Sequence, residues 1–155
     1  MRRAIAVATE HGRDPARSPI GAVIVLDGVE IAAERNHTAD HGDATAHAEM
    51  MAFHAAAAAV PGTDLRGAVL YTTLQPCGMC AMASIWTKVG RIVFGAGRDD
   101  VHRMYFEIRH VNTVTFIADA WRDDIAIEGG CLREDCATLY YRPWDCVPEQ
   151  AQGNL

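Results

Sequence analysis

Two short segments constrain the fold of this chain more than any other feature. The first is His47-Ala48-Glu49, and the second is Pro76-Cys77-Gly78-Met79-Cys80. Each opens a stretch of helical composition, and a stretch rich in β-forming residues separates the two. One imidazole and two thiols can share a zinc ion only if the two helices begin side by side. The sequence therefore predicts two helix N-termini that meet beside a strand.

The residue types in these segments predict a zinc site with one open coordination position. Catalytic zinc typically has three protein ligands and one water, and one histidine with two cysteines is such a set. The predicted ligands are His47, Cys77 and Cys80. Both cysteines lie at a predicted helix start, where the helix dipole and the cation favour thiolate. Glu49 is assigned to proton transfer rather than to metal binding, which indicates a hydrolytic centre.

A closed structural zinc site is the alternative. Cys131, Cys136 or Cys146 could supply a fourth ligand, and the chain would then be a zinc-stabilised interaction module. A Cys-x-x-Cys pair or a helical histidine, each taken singly, is weak support for catalysis. The histidine motif, a predicted strand and the cysteine motif follow one another in the chain, and this combination favours the open catalytic site. The three later cysteines are then interpreted as ordinary buried or partly buried thiols.

Length and charge limit the expected partners. Residues 1–155 are expected to form a single domain, with 146–155 as a polar C-terminal tail. The chain has 14 basic and 20 acidic residues, a formal charge of −6, which disfavours nucleic acid as a partner. Residues 1–13 lack the apolar core of a signal peptide, and no apolar run approaches the roughly 20 residues that span a bilayer. We expect a cytoplasmic protein without a membrane partner, and the absence of a disulfide-type cysteine pattern agrees.

Helical and extended stretches alternate along the chain. Strands are predicted at residues 20–26, 29–34, 67–73, 91–95 and 125–128. Helices are predicted at residues 2–10, 45–60, 76–86, 101–110 and 131–141. Asp27-Gly28 is a typical hairpin turn, and the polar segment 36–43 is predicted as a loop. The alternation predicts an α/β protein, a three-layer α/β/α sandwich with a central mixed five-stranded sheet.

Taken together, Thr45-Ala46-His47-Ala48-Glu49 and Thr73-Leu74-Gln75-Pro76-Cys77-Gly78-Met79-Cys80 resemble the cytidine deaminase-like superfamily. The pattern H-x-E…P-C-x-x-C is a known signature of its zinc-dependent base deaminases. The resemblance is closer to the branch that holds bacterial guanine deaminases, tRNA adenosine deaminases and fungal cytosine deaminase. It covers about residues 1–118 in the order of elements, and it implies a cytidine deaminase-like fold.

The resemblance implies one Zn²⁺ per chain, held by the three ligands named above. It implies Glu49 as the catalytic proton carrier, and the Ala48 backbone N–H and the Asn36 side chain as substrate-binding groups. The implied reaction is hydrolytic deamination, in which zinc-activated water attacks the ring carbon that bears an amino group and ammonia leaves. Proteins of this branch are usually homodimers or larger, so a homodimer is expected. Met82 and Trp86 have spacing that suits core or dimer packing.

Three features bear on the substrate. Gln75 departs from the guanine and tRNA enzymes, which usually carry Glu immediately before the Pro-Cys pair. Asp100 is predicted to bind substrate N–H groups, because related base deaminases place an acid after the fourth strand; a solvated turn is the alternative. The aromatic segment 140–144 could stack on a base or pack in the core. Guanine is the favoured substrate among small N-heterocycles, followed by a cytosine or cytidine-type pyrimidine, and then by tRNA adenosine.

A tRNA substrate is placed last because the C-terminal region lacks an excess of basic residues. A tRNA enzyme would be expected to offer such residues near its last helix. From Cys131 onward the basic residues are Arg133 and Arg142. The acidic residues of the same region are Glu134, Asp135, Asp145 and Glu149.

Overall fold

One mixed sheet organises the computed structural model, which describes residues 1–60, 62, 64–106, 111–120 and 124–152. Within those residues the strands are β1 Gly21–Leu26, β2 Val29–Arg35, β3 Val69–Leu74, β4 Arg91–Ala96 and β5 Ala126–Glu128. The helices are α1 Arg2–Ala8, α2 Thr38–His41, α3 Ala48–Ala59, α4 Gly78–Trp86, α5 Thr113–Ala118 and α6 Arg133–Ala137. None of these helices has the length and apolarity needed to cross a membrane.

The strand order is β2-β1-β3-β4-β5. β1 pairs antiparallel with β2 and with β3, whereas β3, β4 and β5 run parallel to one another. The β1–β2 hairpin turns at Asp27 and Gly28, whose φ angles of 51° and 79° suit a two-residue turn that follows the twist of the sheet. The predicted mixed five-stranded sheet and its hairpin are confirmed.

Helices α1 and α6 cover one face of the sheet. A Cβ added at Gly21 of β1 would lie 2.1 Å from a carbonyl oxygen of α1. A Cβ added at Gly95 of β4 would lie 2.2 Å from Sγ of Cys136 in α6. Thr73 of β3 connects β1 to the segment after α6. Its hydroxyl accepts the Gly21 N–H at 3.1 Å and lies 2.6 Å from the hydroxyl of Tyr140. Glycine at these two strand positions therefore allows close helix packing.

Helices α3 and α4 cover the opposite face. Successive side chains of a strand alternate between faces, so Thr72 points away from Thr73. The Thr72 hydroxyl donates to the carboxylate of Glu49 in α3 at 3.0 Å. The Cys80 thiol of α4 donates to the same carboxylate at 3.6 Å. The predicted three-layer α/β/α sandwich is thus confirmed, and one outer layer carries both sequence motifs.

The prediction of a helix over residues 101–110 is wrong where the structure describes that segment. Arg103–Tyr105 forms a 3-10 turn, and residues 107–110 lie outside the described part of the chain. Helix α5, which was not predicted, follows at Thr113–Ala118. Its β-branched residues favour strands, but the Asn112 side chain caps the helix by accepting a backbone N–H at 3.2 Å. Capping and packing outweigh local propensity in this segment.

The C-terminal region differs from its prediction in two ways. Helix α6 is confined to Arg133–Ala137, and the preceding Leu132 has a left-handed φ of 52°, which prevents the helix from starting earlier. The predicted polar tail folds back onto the domain through a 3-10 turn at Glu149–Ala151. The Gln152 amide donates to the carbonyl of the buried Val147 at 2.7 Å and closes this turn.

Candidate metal centre and cleft

The two sequence motifs meet at the N-termini of α3 and α4. His47 is the N-cap residue of α3 and Cys77 is the N-cap residue of α4, while Cys80 lies in the first turn of α4. Pro76 precedes the cap, where its missing N–H leaves no hydrogen bond unmade. The Nδ1 atom of His47 is 3.6 Å from Sγ of Cys77 and 3.7 Å from Sγ of Cys80. The predicted ligands are therefore brought together.

The three side chains fit a zinc ion. Ligands bound to tetrahedral zinc at 2.0–2.3 Å lie roughly 3.6 Å apart, which matches the separations from the His47 nitrogen to the two sulfurs. The ligand atoms of His47, Cys77 and Cys80 all lie within 4.8 Å of one another. Among the described residues, these three form the group that could hold a metal ion. None of the later cysteines belongs to it, so the group matches a catalytic set of three rather than a closed set of four. Of those later cysteines, Cys136 is buried and Cys131 half-buried, whereas Cys146 is exposed.

The two cysteines titrate as a coupled pair. Hydrogen bonding from Cys80 and from His47 lowers the pKa of the Cys77 thiol to about 4. The same contact with Cys77, together with burial and the nearby Glu49 carboxylate, raises the pKa of Cys80. The pair therefore retains one proton at neutral pH. A zinc ion would take the place of that proton, since a coordinated thiol is deprotonated.

Glu49 lies beside the metal-binding group as a buried carboxyl. Glu49 is only 3% exposed to solvent. Burial raises its pKa, and the negative charge of Cys77 acts in the same direction. One carboxylate oxygen accepts from Thr72 and the other accepts from Cys80. A carboxyl that holds a proton more readily than usual, next to a metal site, is suited to carry protons during hydrolysis.

A cleft of about 630 Å³ opens beside His47. Asn36 lies in its wall: the side-chain amide donates to the Thr38 hydroxyl at 3.1 Å, and the buried Oδ1 atom has no hydrogen-bond partner. The segment that carries this wall, predicted as a loop, contains the one-turn helix α2. Buried acceptors are seldom left unpaired, so Oδ1 of Asn36 is available to a ligand donor. Ala48 is fully buried at the first position of α3, where a helix leaves backbone N–H groups without intrahelical acceptors.

Asp100 is not brought to this cleft. Its Oδ2 atom accepts the Gly97 N–H at 2.7 Å, and Nε of Arg133 donates to the same oxygen at 2.8 Å. Burial by itself would raise the pKa of Asp100, but the Arg133 guanidinium and the Gly97 N–H outweigh that effect and hold the pKa below its usual value. The carboxylate is therefore engaged in joining the turn after β4 to α6. Its assignment as a substrate ligand stays a prediction.

Gln75 and the C-terminal aromatic residues also have structural partners. The Gln75 side chain accepts the Arg98 N–H at 3.1 Å and donates to the Thr113 hydroxyl at 3.1 Å, so it ties the turn after β4 to α5. Tyr140 is buried, as the core-packing alternative predicted, and Trp144 is 79% exposed.

Sequence reasoning missed four residues that shape the site. Thr72 holds Glu49, and the lining of the cleft includes Met104, Tyr105 and Gln150 in addition to Asn36. The Tyr105 hydroxyl donates to the Pro15 carbonyl at 2.9 Å and accepts the Tyr141 N–H at 3.0 Å, which fixes the ring. The alternation of β3 could have placed Thr72 on the Glu49 face. Nothing in the local sequence distinguishes the other three.

A zinc-binding group at paired helix N-termini, beside a buried carboxyl and above a mixed sheet, defines a zinc-binding domain of the deaminase class. The profile of the cytidine and deoxycytidylate deaminase zinc-binding region matches residues 1–96. The chain belongs to this family, as the sequence resemblance predicted. The three residues that the structure brings together could bind one zinc ion.

Individual relatives point to two kinds of substrate. The chain is 47% identical over 78 residues to a tRNA-specific adenosine deaminase of Agrobacterium fabrum, a match that covers 50% of this chain and 51% of that protein. It is 34% identical over 107 residues to the guanine deaminase of Bacillus subtilis, which covers 69% of each chain. The solved guanine deaminase of Nitrosomonas europaea superposes with a TM-score of 0.70 at 28% identity, over 88% of this chain and 80% of that one. The match thus spans about half the length of the Agrobacterium relative.

Proposed function

We propose that this protein is a zinc-dependent hydrolytic deaminase of an amino-substituted free nucleobase, with guanine as the favoured substrate. The observation that carries the proposal is the Glu49 carboxyl, buried within 3.6 Å of the Cys80 sulfur at a metal group that has three protein ligands. A structural zinc site does not require a buried acid beside its ligands, whereas hydrolysis requires a group that transfers protons.

The reaction exchanges an amino group for an oxygen. When bound, a zinc ion supplies Lewis acidity that activates water at neutral pH. Glu49 accepts a proton from the attacking water and delivers it to the ring nitrogen next to the reacting carbon. As the carbon–nitrogen bond breaks, a second proton passes through Glu49 to the departing amine. The products are ammonia and the oxo-substituted base, and Glu49 returns to its starting protonation state.

The walls of the cleft orient the heterocycle. The unpaired Oδ1 atom of Asn36 accepts a ring N–H, and the Ala48 N–H donates to a ring or exocyclic acceptor. The Asn36 side chain is held by its hydrogen bond to the Thr38 hydroxyl, and the Ala48 N–H is fixed at the start of α3. Fixed polar groups of this kind convert binding energy into orientation of the reacting carbon.

Two observations favour a free base. The turn at Glu149–Ala151 contributes Gln150 and Ala151 to the wall of the cleft, which limits the space for a polymer. The formal charge of −6 disfavours approach of a phosphate backbone. The guanine deaminase of Bacillus subtilis, similar over 69% of this chain, supports a purine ring. A small amino-purine agrees with both observations and with this similarity.

Ammonia release from a panel of compounds tests the proposal. Zinc-loaded protein would be incubated with guanine, cytosine, adenine, cytidine, adenosine and an amino-triazine, with Glu49→Gln as the matched inactive control. We expect release from guanine that depends on Glu49. Zinc-loaded protein that releases no ammonia from the whole panel would contradict the proposal and favour a zinc-stabilised interaction module.

Adenosine in tRNA is the second candidate, and a specific observation favours it: the 47% identity over 78 residues to a tRNA-specific adenosine deaminase. The test is conversion of adenosine to inosine in an anticodon stem-loop, measured by nuclease digestion and chromatography. Conversion of the stem-loop without activity on free guanine would replace guanine by this substrate. A cytosine or cytidine-type pyrimidine is the remaining alternative, which the same panel includes.

We further propose that the protein works as a homodimer through the exposed side of α4. Met82 and Trp86 are 42% and 75% exposed on this helix, although both are large and apolar. Trp86 lines an apolar groove together with Met50, Phe53 and Leu65. Contiguous exposed apolar surface is a feature of interaction sites. Analytical ultracentrifugation should give twice the chain mass of 16.9 kDa, and Trp86→Lys should shift the protein to monomer.

A further inference from the structure

Thr72 makes a buried contact with the proposed proton carrier. Its hydroxyl donates to Oε1 of Glu49 at 3.0 Å, across 23 positions of the chain. Thr72 is fully buried and Glu49 is 3% exposed, so water does not compete for this bond. A hydrogen bond to a charged acceptor in such a setting is stronger than one between neutral groups.

The position of Thr72 is fixed by the middle of the sheet. On β3 it lies opposite Ala22 of β1 on one side and Phe94 of β4 on the other. The backbone is thus paired in both directions. The β-branched side chain adds a restricted χ1 angle. The hydroxyl is therefore presented to α3 from a rigid base, whereas Glu49 has several rotatable bonds of its own.

The two oxygens of Glu49 have different neighbours. Oε1 is held by Thr72, and Oε2 lies 3.6 Å from Sγ of Cys80, on the side of the metal-binding group. If Oε1 were released, the carboxylate could rotate about its last side-chain bond and exchange the two oxygens. A proton carrier needs one oxygen kept at the reacting atoms, since a displacement of about 1 Å can cost about a hundredfold in rate.

We propose that Thr72 is a positioning residue for catalysis: its hydroxyl holds Oε1 of Glu49 so that Oε2 faces the reacting atoms beside the metal ligands. The proposal rests on the proposed role of Glu49 in deamination. Thr72 does not touch the substrate, since it lies beneath α3 in the sheet. Its effect is therefore on the rate of the chemical step and not on substrate binding.

The chain supplies a matched control in the next residue. Thr73 is equally buried in the same strand, but its hydroxyl faces the other side of the sheet and contacts Gly21 and Tyr140. Thr→Val is close to isosteric and removes one buried hydroxyl at either position. Thr72→Val should lower kcat about tenfold to a hundredfold, with KM and zinc content unchanged. Thr73→Val should lower Tm without lowering kcat.

Restoration of the hydroxyl completes the test. Thr72→Ser keeps the donor and should recover most of the lost kcat, whereas Thr72→Ala should resemble Thr72→Val and serves if the valine variant does not fold. The proposal is overturned if Thr72→Val keeps wild-type kcat, if its loss equals that of Thr73→Val, or if the loss follows zinc content.

A crystal structure of zinc-loaded Thr72→Val separates this proposal from the proposed function. If wild-type protein releases no ammonia from any compound, the deaminase proposal fails. The role of Thr72 is then tested by comparing the position of the Glu49 carboxylate in Thr72→Val and in wild type. A displaced carboxylate supports the positioning role, and an unmoved carboxylate overturns it.

Discussion

The Nδ1 atom of His47 lies 3.6 Å from Sγ of Cys77, although 30 positions separate the two residues in the chain. Helix α3 and strand β3 separate the two residues in the chain, and both must be in place before these atoms meet, because each motif caps a different helix. The metal-binding group of His47, Cys77 and Cys80 therefore forms only in the folded protein. A zinc ion that binds it stabilises the folded chain over the unfolded one.

Replacement of either cysteine should remove the metal. Cys77→Ser and Cys80→Ser each leave two of the three ligands, and we expect zinc content to fall from one per chain to well below half. Plasma mass spectrometry of dialysed protein measures this, and Tm should fall with it. Cys146→Ser, at an exposed thiol outside the group, is the control and should keep its zinc. Full zinc in Cys77→Ser would contradict the assignment.

Glu49→Gln should abolish ammonia release and leave zinc bound. Glutamine has nearly the same shape and can still accept from Thr72, but it cannot take up and release protons at neutral pH. We expect a loss of at least about a hundredfold in kcat, in line with the usual contribution of a general acid–base group. Near-native turnover in Glu49→Gln, at full zinc content, would show that another group moves the protons.

Asn36→Ala should weaken substrate binding. It removes the buried, unpaired Oδ1 atom from the wall of the cleft, and the lost hydrogen bond should raise KM by about tenfold. Zinc content should stay at one per chain. Asn112→Ala is the matched control, since Asn112 caps α5 and does not line the cleft. An unchanged KM in Asn36→Ala would remove Asn36 from the substrate site.

Gly21→Ala should destabilise the fold. The new methyl group would lie 2.1 Å from the carbonyl oxygen of Ala4, a backbone atom that can move only if α1 shifts. Overpacking of this kind costs about 1–3 kcal/mol or more, so Tm should fall by several degrees. Gly97→Ala is the control, because its nearest neighbour would be at an ordinary 3.4 Å. Equal Tm values for the two variants would contradict the close approach of α1.

Asp100→Asn should lower Tm at neutral pH and leave it unchanged in acid. The pKa of Asp100 is lower in the folded protein than its usual 3.8, so the charged form stabilises the fold above that pH and the effect is lost as pH falls through the folded pKa. The difference in Tm between wild type and variant should therefore close below about pH 3.8. Asp99→Asn, at the exposed neighbour, should show no such difference. A gap that persists in acid would contradict the ion pair with Arg133.

The sequence predicted the centre of the site better than its walls. The grouping of His47, Cys77 and Cys80 and the five strands follow from residue types at fixed spacing, because zinc chemistry and strand periodicity both act over short stretches of chain. The engagement of Asp100 by Arg133 does not follow, since the two are 33 positions apart and only packing of α6 on β4 brings them together.

The missed elements share one cause. Helix α5 contains β-branched residues, and its start depends on the cap at Asn112. The turn at Glu149–Ala151 depends on burial of Val147. Tyr105 enters the wall of the cleft because its hydroxyl is held by Pro15 and Tyr141, which lie 90 and 36 positions away. In each case a cap or a distant contact decides a structure that local composition leaves open.

The sheet divides the described part of the molecule into a reactive side and a supporting side. Metal ligands and Glu49 all belong to the layer of α3 and α4, while α1 and α6 meet the other face through the glycines at 21 and 95. Sequence change should therefore be tolerated unevenly. The layer of α1 and α6 could be exchanged between relatives or redesigned as a block, provided that Gly21 and Gly95 of the strands stay, and the chemistry of the layer of α3 and α4 would be retained.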